Sequence, residues 1–105
     1  MKHIAPVDLK ARLAAGEKLQ LLDVRENWEY ETARIHDSLL IPMGHVAARI
    51  IELDPAAETV VICHHGGRSL QVAGLLERQG FSSVINLTGG VDAWARTVDP
   101  SMPVY

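Results

Sequence analysis

Three short runs, LQLLDV (Leu19–Val24), TVVIC (Thr59–Cys63) and SVINL (Ser83–Leu87), are apolar on both faces rather than on alternate residues. A strand with one wet face alternates, whereas a strand apolar throughout needs cover above and below. Each run is followed by a stretch with helical spacing, the pattern of parallel strands joined by crossover helices. Two weaker runs, His3-Ile4-Ala5 and Leu39-Leu40-Ile41 closed by Pro42, add further strands. The expected architecture is a small α/β domain with a mostly parallel sheet and helices on both faces.

The intervening stretches carry helix signals. Pro6 suits the first turn of a helix reaching about Ala15, with Leu9 and Leu13 four apart and Gly16 as its stop. Asn27 is placed to cap a short helix over NWEYETA, and Val46, Ile50 and Leu53 give helical spacing across Gly44 to Leu53. A helix from about Ser69 to Gln79 carries Val72, Leu75 and Leu76 on one stripe and ends at Gly80. Gly89-Gly90 turns into a last helix holding Trp94, and Pro100 and Pro103 are expected to keep the tail extended. Trp28, Tyr30 and Trp94 are read as packing residues, with Trp28 also able to rim the site. Neither repeat nor linker interrupts residues 1–105, so one domain is expected.

Composition narrows the partners. A chain of 105 residues, 48% hydrophobic, suits one core. A formal charge of −3 with scattered basic residues argues against nucleic acid. Charges at Lys2, Asp8, Lys10 and Arg12 break up the N-terminus, and no run of about 20 apolar residues could span a membrane. The single cysteine has no disulfide partner and belongs to no CxxC pair, which fits a reducing, cytoplasmic setting.

That cysteine, Cys63, ends an apolar strand and opens the segment CHHGGRS. In parallel α/β sheets ligands gather beyond the carboxyl ends of the strands, where Cys63 stands. A strand, a glycine-rich turn and a helix start together gather backbone N–H groups that lack partners, and such a nest favours an anion. With the sulfur as that anion, the loop favours the nucleophilic thiolate. Gly66 and Gly67 let the backbone curl close, and Arg68 adds a permanent charge for the loop or an incoming anion. A buried cysteine that merely packs is the commoner use of such a position. Packing alone has no need of the glycine pair and arginine that follow, so a reactive thiol is the expectation.

CHHGGRS resembles the active-site loop of the rhodanese-like sulfurtransferases, whose pattern is C-x-x-G-x-R-S. LLDVRENWEYE (Leu21–Glu31) and LTGGVDAW (Leu87–Trp94) are similar to the family's first and closing segments, in the same order. The resemblance implies a five-stranded α/β fold and a ping-pong sulfur transfer. Cys63 would take the outer sulfur of a donor such as thiosulfate as a persulfide, and cyanide or a thiol would remove it. It implies that the amides of His64, His65, Gly66, Gly67, Arg68 and Ser69 stabilise both sulfur states, with no metal or organic cofactor. The partners implied are a small sulfur donor and a thiophilic acceptor, or a protein in either role.

Four residues separate Cys63 from Arg68, one fewer than in cysteine-dependent phosphatases, and Ile62 rather than histidine precedes the cysteine. Sulfur transfer is therefore preferred to a phosphatase or arsenate-handling activity. Members adapted to thiosulfate carry cations just after the cysteine, where this chain has His64 and His65. Imidazoles carry little charge at neutral pH. A sulfur-relay or regulatory persulfide-binding module with poor turnover of free thiosulfate is thus the alternative.

Counting Cys63, His64, His65, His36 and His45 as metal ligands finds no supporting spacing, and no metal is expected. His3 and His45 are read as surface residues. Asp23 and Arg25 in DVR end a neighbouring strand, with supporting roles expected: Asp23 accepting loop N–H groups, Arg25 pairing with a carboxylate. The family's glycine-histidine-isoleucine-proline-glycine-alanine segment is replaced by Ala33-Arg34-Ile35-His36-Asp37-Ser38, which implies a differently built turn.

Overall fold

In the computed structural model, which describes residues 1–105, the chain runs through five strands and five α-helices. In order they are β1 (Lys2–Ile4), α1 (Pro6–Ala14), β2 (Gln20–Asp23), α2 (Asn27–Thr32), β3 (Leu39–Leu40), α3 (Val46–Arg49), β4 (Thr59–Ile62), α4 (Gly67–Arg78), β5 (Val84–Leu87) and α5 (Gly90–Thr97). The strands pair in the order β1-β5-β4-β2-β3, and every pair is parallel. The mostly parallel sheet expected from the sequence is wholly parallel.

β4 lies at the centre of the sheet and all four of its residues are buried. The pleat divides its side chains between two layers. Val61 and Cys63 face a cluster with Leu22, Val46, Val72, Ala73 and Leu76, the layer of α3 and α4. Val60 and Ile62 face Leu9, Leu21, Ile85, Leu87, Val91 and Trp94, the layer of α1 and α5. Burial on both sides explains why β2, β4 and β5 lack the alternation of a half-wet strand. No helix is long and apolar enough to cross a membrane.

Several boundaries differ from the sequence expectation for identifiable reasons. Gly44–Leu53 is not one helix: a 3₁₀ turn at Met43–His45 and another at Ile50–Glu52 flank the four residues of α3. Asn27 is the first residue of α2 rather than its cap; Glu26 takes the cap position, and Glu29 Oε1 accepts the Glu26 amide at 3.0 Å. α4 starts at Gly67, two residues before the expected Ser69, because Gly66 at φ 113° turns the chain into the helix. The tail is not extended throughout. Met102 N–H donates to Asp99 O at 3.0 Å and Ser101 N–H to Asp99 Oδ1 at 3.2 Å, a turn that sends Tyr105 back over the sheet's carboxyl edge.

The Ala33–Ser38 segment closes on itself. Asp37 sits in the left-handed region at φ 65°, and the Ser38 hydroxyl donates to Ile35 O at 2.7 Å. Ile35 itself is buried against the α1 and α5 layer.

Candidate functional site around Cys63

Register brings the candidate residues together. Asp23 pairs with Ile62 across β2 and β4, and Val61 pairs with Asn86 across β4 and β5. The ends of three strands therefore surround Cys63, whose side chain is 1% exposed. The Gly66 amide donates to Sγ at 3.0 Å, and Ser69 Oγ lies 3.3 Å from Sγ. Ser69 is fully buried and also contacts Gly66 O and Asn86 Oδ1. The amides of Gly67, Arg68 and Ser69 open α4, where helix geometry gives them no partner within the helix.

The loop is held in this shape from behind. At the start of α5, Val91 N–H donates to Cys63 O at 2.8 Å and Asp92 N–H to His64 O at 3.0 Å. With those two carbonyls held by α5, the following peptide can turn the Gly66 amide toward the sulfur. Gly90 makes the contact possible: a Cβ there would lie 2.3 Å from Cys63 O and 2.5 Å from His64 O.

The charged residues form a closed network beside the loop. Arg68 grips Glu29 with both terminal nitrogens, at 2.6 and 2.8 Å. That pairing, helped by the Glu26 amide and the Tyr105 hydroxyl, lowers Glu29 from 4.5 to about 2 against the opposing effect of burial. Arg25 is wholly buried and donates to both oxygens of Asp23, to the carbonyls of Glu29 and Ala33 at the end of α2, and to Tyr105 Oη. Asp23 Oδ1 also accepts the Arg25 amide at 3.1 Å. Both guanidinium groups are thus turned toward carboxylates.

Tyr105 completes the network. Its hydroxyl accepts from Arg25 at 2.8 Å and donates to Glu29 Oε2 at 2.9 Å, while burial pushes it up to about 12 and keeps the proton on. Its ring stacks on His64, with centroids 4.0 Å apart and planes 10° apart, and meets the edge of the exposed Trp28 at 5.5 Å. His65 lies on the other side of His64 at 3.9 Å. Burial first, then the neighbouring His65, holds His64 below its ordinary value, and its Nε2 is buried without a hydrogen-bond partner.

His64, His65 and Asp92 bring ligand atoms within 4.8 Å of one another. Asp92 is held by Arg96 at 3.0 Å, and His65 Nε2 lies 3.9 Å from the same carboxylate oxygen. His36 and His45 lie exposed on other segments. Surface clefts of about 510 and 570 Å³ occur beside Leu13, Ile35 and Trp94 and beside Met43 and Gln71, and neither is lined by residues 63–69. The site is a closed pocket around one sulfur.

Sequence reasoning did not single out Glu29, Asn86 or Tyr105. Asn86 was visible as the one amide inside the apolar run SVINL. Glu29 lies 39 residues from its partner Arg68, and no local pattern announces that pairing.

Comparison with known proteins bears on the family and the fold. The Rhodanese-like domain matches residues 5–97. The putative sulfur carrier protein YrkF of Bacillus subtilis is 42% identical over 81% of this chain, which spans 46% of that protein. The putative sulfurtransferase YtwF of the same organism is 38% identical, over 95% of this chain and 96% of its own length. The crystal structure of a rhodanese-like domain protein from Staphylococcus aureus superposes with a TM-score of 0.86 at 28% identity, covering 100% of this chain and 99% of that one.

Proposed function

The chain belongs to the rhodanese-like family, whose members here include a sulfurtransferase and a sulfur carrier by name, and from that premise we propose that it transfers sulfane sulfur through Cys63. The observation that carries the reading is the seat of Sγ: end of the central strand, Gly66 amide at 3.0 Å, Ser69 hydroxyl at 3.3 Å, start of α4 alongside. In the first step the Cys63 thiolate attacks the outer sulfur of the donor. The donor's S–S bond breaks and its electron pair leaves with the remainder, as sulfite from thiosulfate or as a thiolate from a persulfide. In the second step the acceptor attacks the outer sulfur of the Cys63 persulfide, and the thiolate is regenerated; cyanide becomes thiocyanate. Splitting the transfer this way gives ping-pong kinetics. The unpaired amides at the start of α4 are the donors available to the outer sulfur, and they act as oxyanion-hole groups do.

A sulfur-relay role is the second reading, and the charged network favours it over a dedicated thiosulfate enzyme. Arg68 and Arg25 are engaged by Glu29 and Asp23, and His64 is held neutral. A dianion such as thiosulfate finds no free cation at the mouth, whereas a thiol persulfide, on a small molecule or a protein, needs none. The same pairing engages Arg68 with Glu29 rather than leaving it free for a phosphoryl group, which weighs against phosphoryl chemistry.

Intact mass spectrometry after incubation with thiosulfate or glutathione persulfide tests the proposal. A gain of roughly 32 Da on the wild type, absent in Cys63→Ser and removed by cyanide or dithiothreitol, is the expected result. Failure of every donor to add sulfur would overturn it. Faster loading from the persulfide than from thiosulfate is expected from the relay reading.

A further inference from the structure

Tyr105 is the one side chain outside the Cys63 loop that braces both of its ends. At one end its ring covers the His64 imidazole at 4.0 Å. At the other its hydroxyl binds Glu29 Oε2, the same oxygen that holds Arg68 Nη2. Arg25 approaches the hydroxyl from the far side, and the edge of Trp28 meets the ring. Pro103 and Val104 before it are exposed, whereas Tyr105 is anchored by its ring on His64 and by its hydroxyl between Arg25 and Glu29. Meanwhile Cys63 is 1% exposed and borders neither major surface cleft. A donor must open a path to the sulfur past the groups packed over the loop, among them the Tyr105 ring stacked on His64.

We propose that Tyr105 is a specificity-determining residue that sets the width of the passage to Cys63 and so selects sulfur donors by bulk. With the ring seated on His64, compact donors reach the thiol through small excursions of the loop. Bulky donors need the ring displaced, which breaks the contacts to Arg25 and Glu29 and frees the oxygen that Arg68 shares. The inference rests on the sulfur-transfer reading for its meaning, and its test does not need sulfur transfer at all.

The test compares alkylation of Cys63 by compact iodoacetamide and by bulky fluorescein maleimide. Rates are taken on the high-pH plateau, where the thiol is fully ionised and only access differs. In Tyr105→Ala the bulky-to-compact rate ratio is expected to rise about tenfold over the wild type. Tyr105→Phe keeps the stacked ring and loses both hydroxyl contacts, so it should lie between the two; it also serves as the folded control. General loosening of the fold is controlled with Asp37→Ala, which lowers stability in a turn outside the loop; an unchanged ratio in Tyr105→Ala, or a rise that Asp37→Ala matches, overturns the proposal. In turnover assays the same selectivity appears as a lower KM for glutathione persulfide in Tyr105→Ala, with KM for thiosulfate changed less. A protein that alkylates as described and yet never gains sulfur would keep the gate and discard the transferase reading.

Discussion

Ser69 and Asn86 meet side chain to side chain, Oγ to Oδ1 at 2.5 Å, in a buried pocket where Cys63 Sγ is 3.3 Å from the same hydroxyl. Ser69 has one hydrogen to give and two acceptors besides the sulfur, Asn86 Oδ1 and Gly66 O. With Oδ1 facing it, the serine gives its hydrogen to Asn86 and can only accept from a Cys63 thiol. With the amide turned so that Nδ2 faces it, the serine accepts from Asn86 and gives its hydrogen to a thiolate. The asparagine thus couples its orientation to the charge on sulfur.

That coupling separates two substitutions of similar size. Asn86→Asp fixes an acceptor next to Ser69 and should reduce the Cys63 alkylation rate at pH 7 about tenfold or more, the value of one lost hydrogen bond to an anion, about 1.4 kcal/mol. Asn86→Leu removes that acceptor and leaves the serine hydrogen to sulfur or Gly66 O, so it should cost far less. Equal rates in the two variants would remove Asn86 from the chemistry.

The Glu29–Arg68 pair makes an acid-sensitivity prediction. Arg68 chiefly holds Glu29 at about 2, below its ordinary 4.5. A carboxyl whose folded value is lowered contributes stability in full above about pH 4.5 and loses it as the pH falls toward 2. The shift corresponds to about 3 kcal/mol at neutral pH. Urea denaturation of wild type and Glu29→Gln should therefore show a stability gap that is widest near pH 7 and narrows steadily below pH 4.5. A gap independent of pH would mean that the pair contributes nothing to the folded state.

Gly90 should be the least replaceable residue outside the loop. A Cβ at 2.3 Å from Cys63 O and 2.5 Å from His64 O meets backbone, which cannot swing aside as a side chain would. Gly90→Ala must push α5 off the two carbonyls it holds, with an expected loss of about 3 kcal/mol or more. Thermal unfolding measures the first effect, and Cys63 alkylation reports the second through the disturbed Gly66 amide. Wild-type values for both would show that the α5 contact does not shape the loop.

The parts of this architecture legible in the sequence are those fixed by local pattern. β2, β4 and β5 show themselves because burial on both faces leaves no room for alternation, and Cys63 because a thiol, two glycines and an arginine seldom share a packing role. β3 shows itself only through the short run Leu39-Leu40-Ile41 closed by Pro42, whereas α3, with four residues, is too short to carry a period. The partner of Arg68 is decided by folding rather than by spacing. Proximity favoured a carboxylate for Arg25, and Asp23 supplies it from two residues away, while Glu29 reaches Arg68 only after α2 and α4 are packed. The position of Tyr105 was partly readable. Asp99-Pro100-Ser101 is turn chemistry, with an aspartate able to accept the amide two residues on, whereas the two prolines alone suggested extension.

The turn at Ile35–Ser38 gives a last test, in the one non-glycine residue with positive φ. Asp37 holds φ 65°, at the position where the family pattern has glycine, and its side chain is 84% exposed, 3.4 Å from the 95% exposed His36. Such a contact contributes little. An L-residue in the left-handed region costs about 1–2 kcal/mol, less for aspartate, whereas glycine enters it freely but loses about 0.5–1 kcal/mol of backbone entropy. The balance favours glycine slightly. Asp37→Gly should raise stability by about 0.5 kcal/mol, or Tm by about 2–4 °C, and Asp37→Ala should lower it by about 1 kcal/mol. The order Gly above Asp above Ala, read from thermal unfolding, is the expected result. Alanine matching glycine would show that the backbone at Asp37 leaves the left-handed region in solution. The turn, and with it the seating of Ile35 in the core, would then be held by the Ser38 amide and hydroxyl on Ile35 O and by the Tyr30 hydroxyl on Ser38 O.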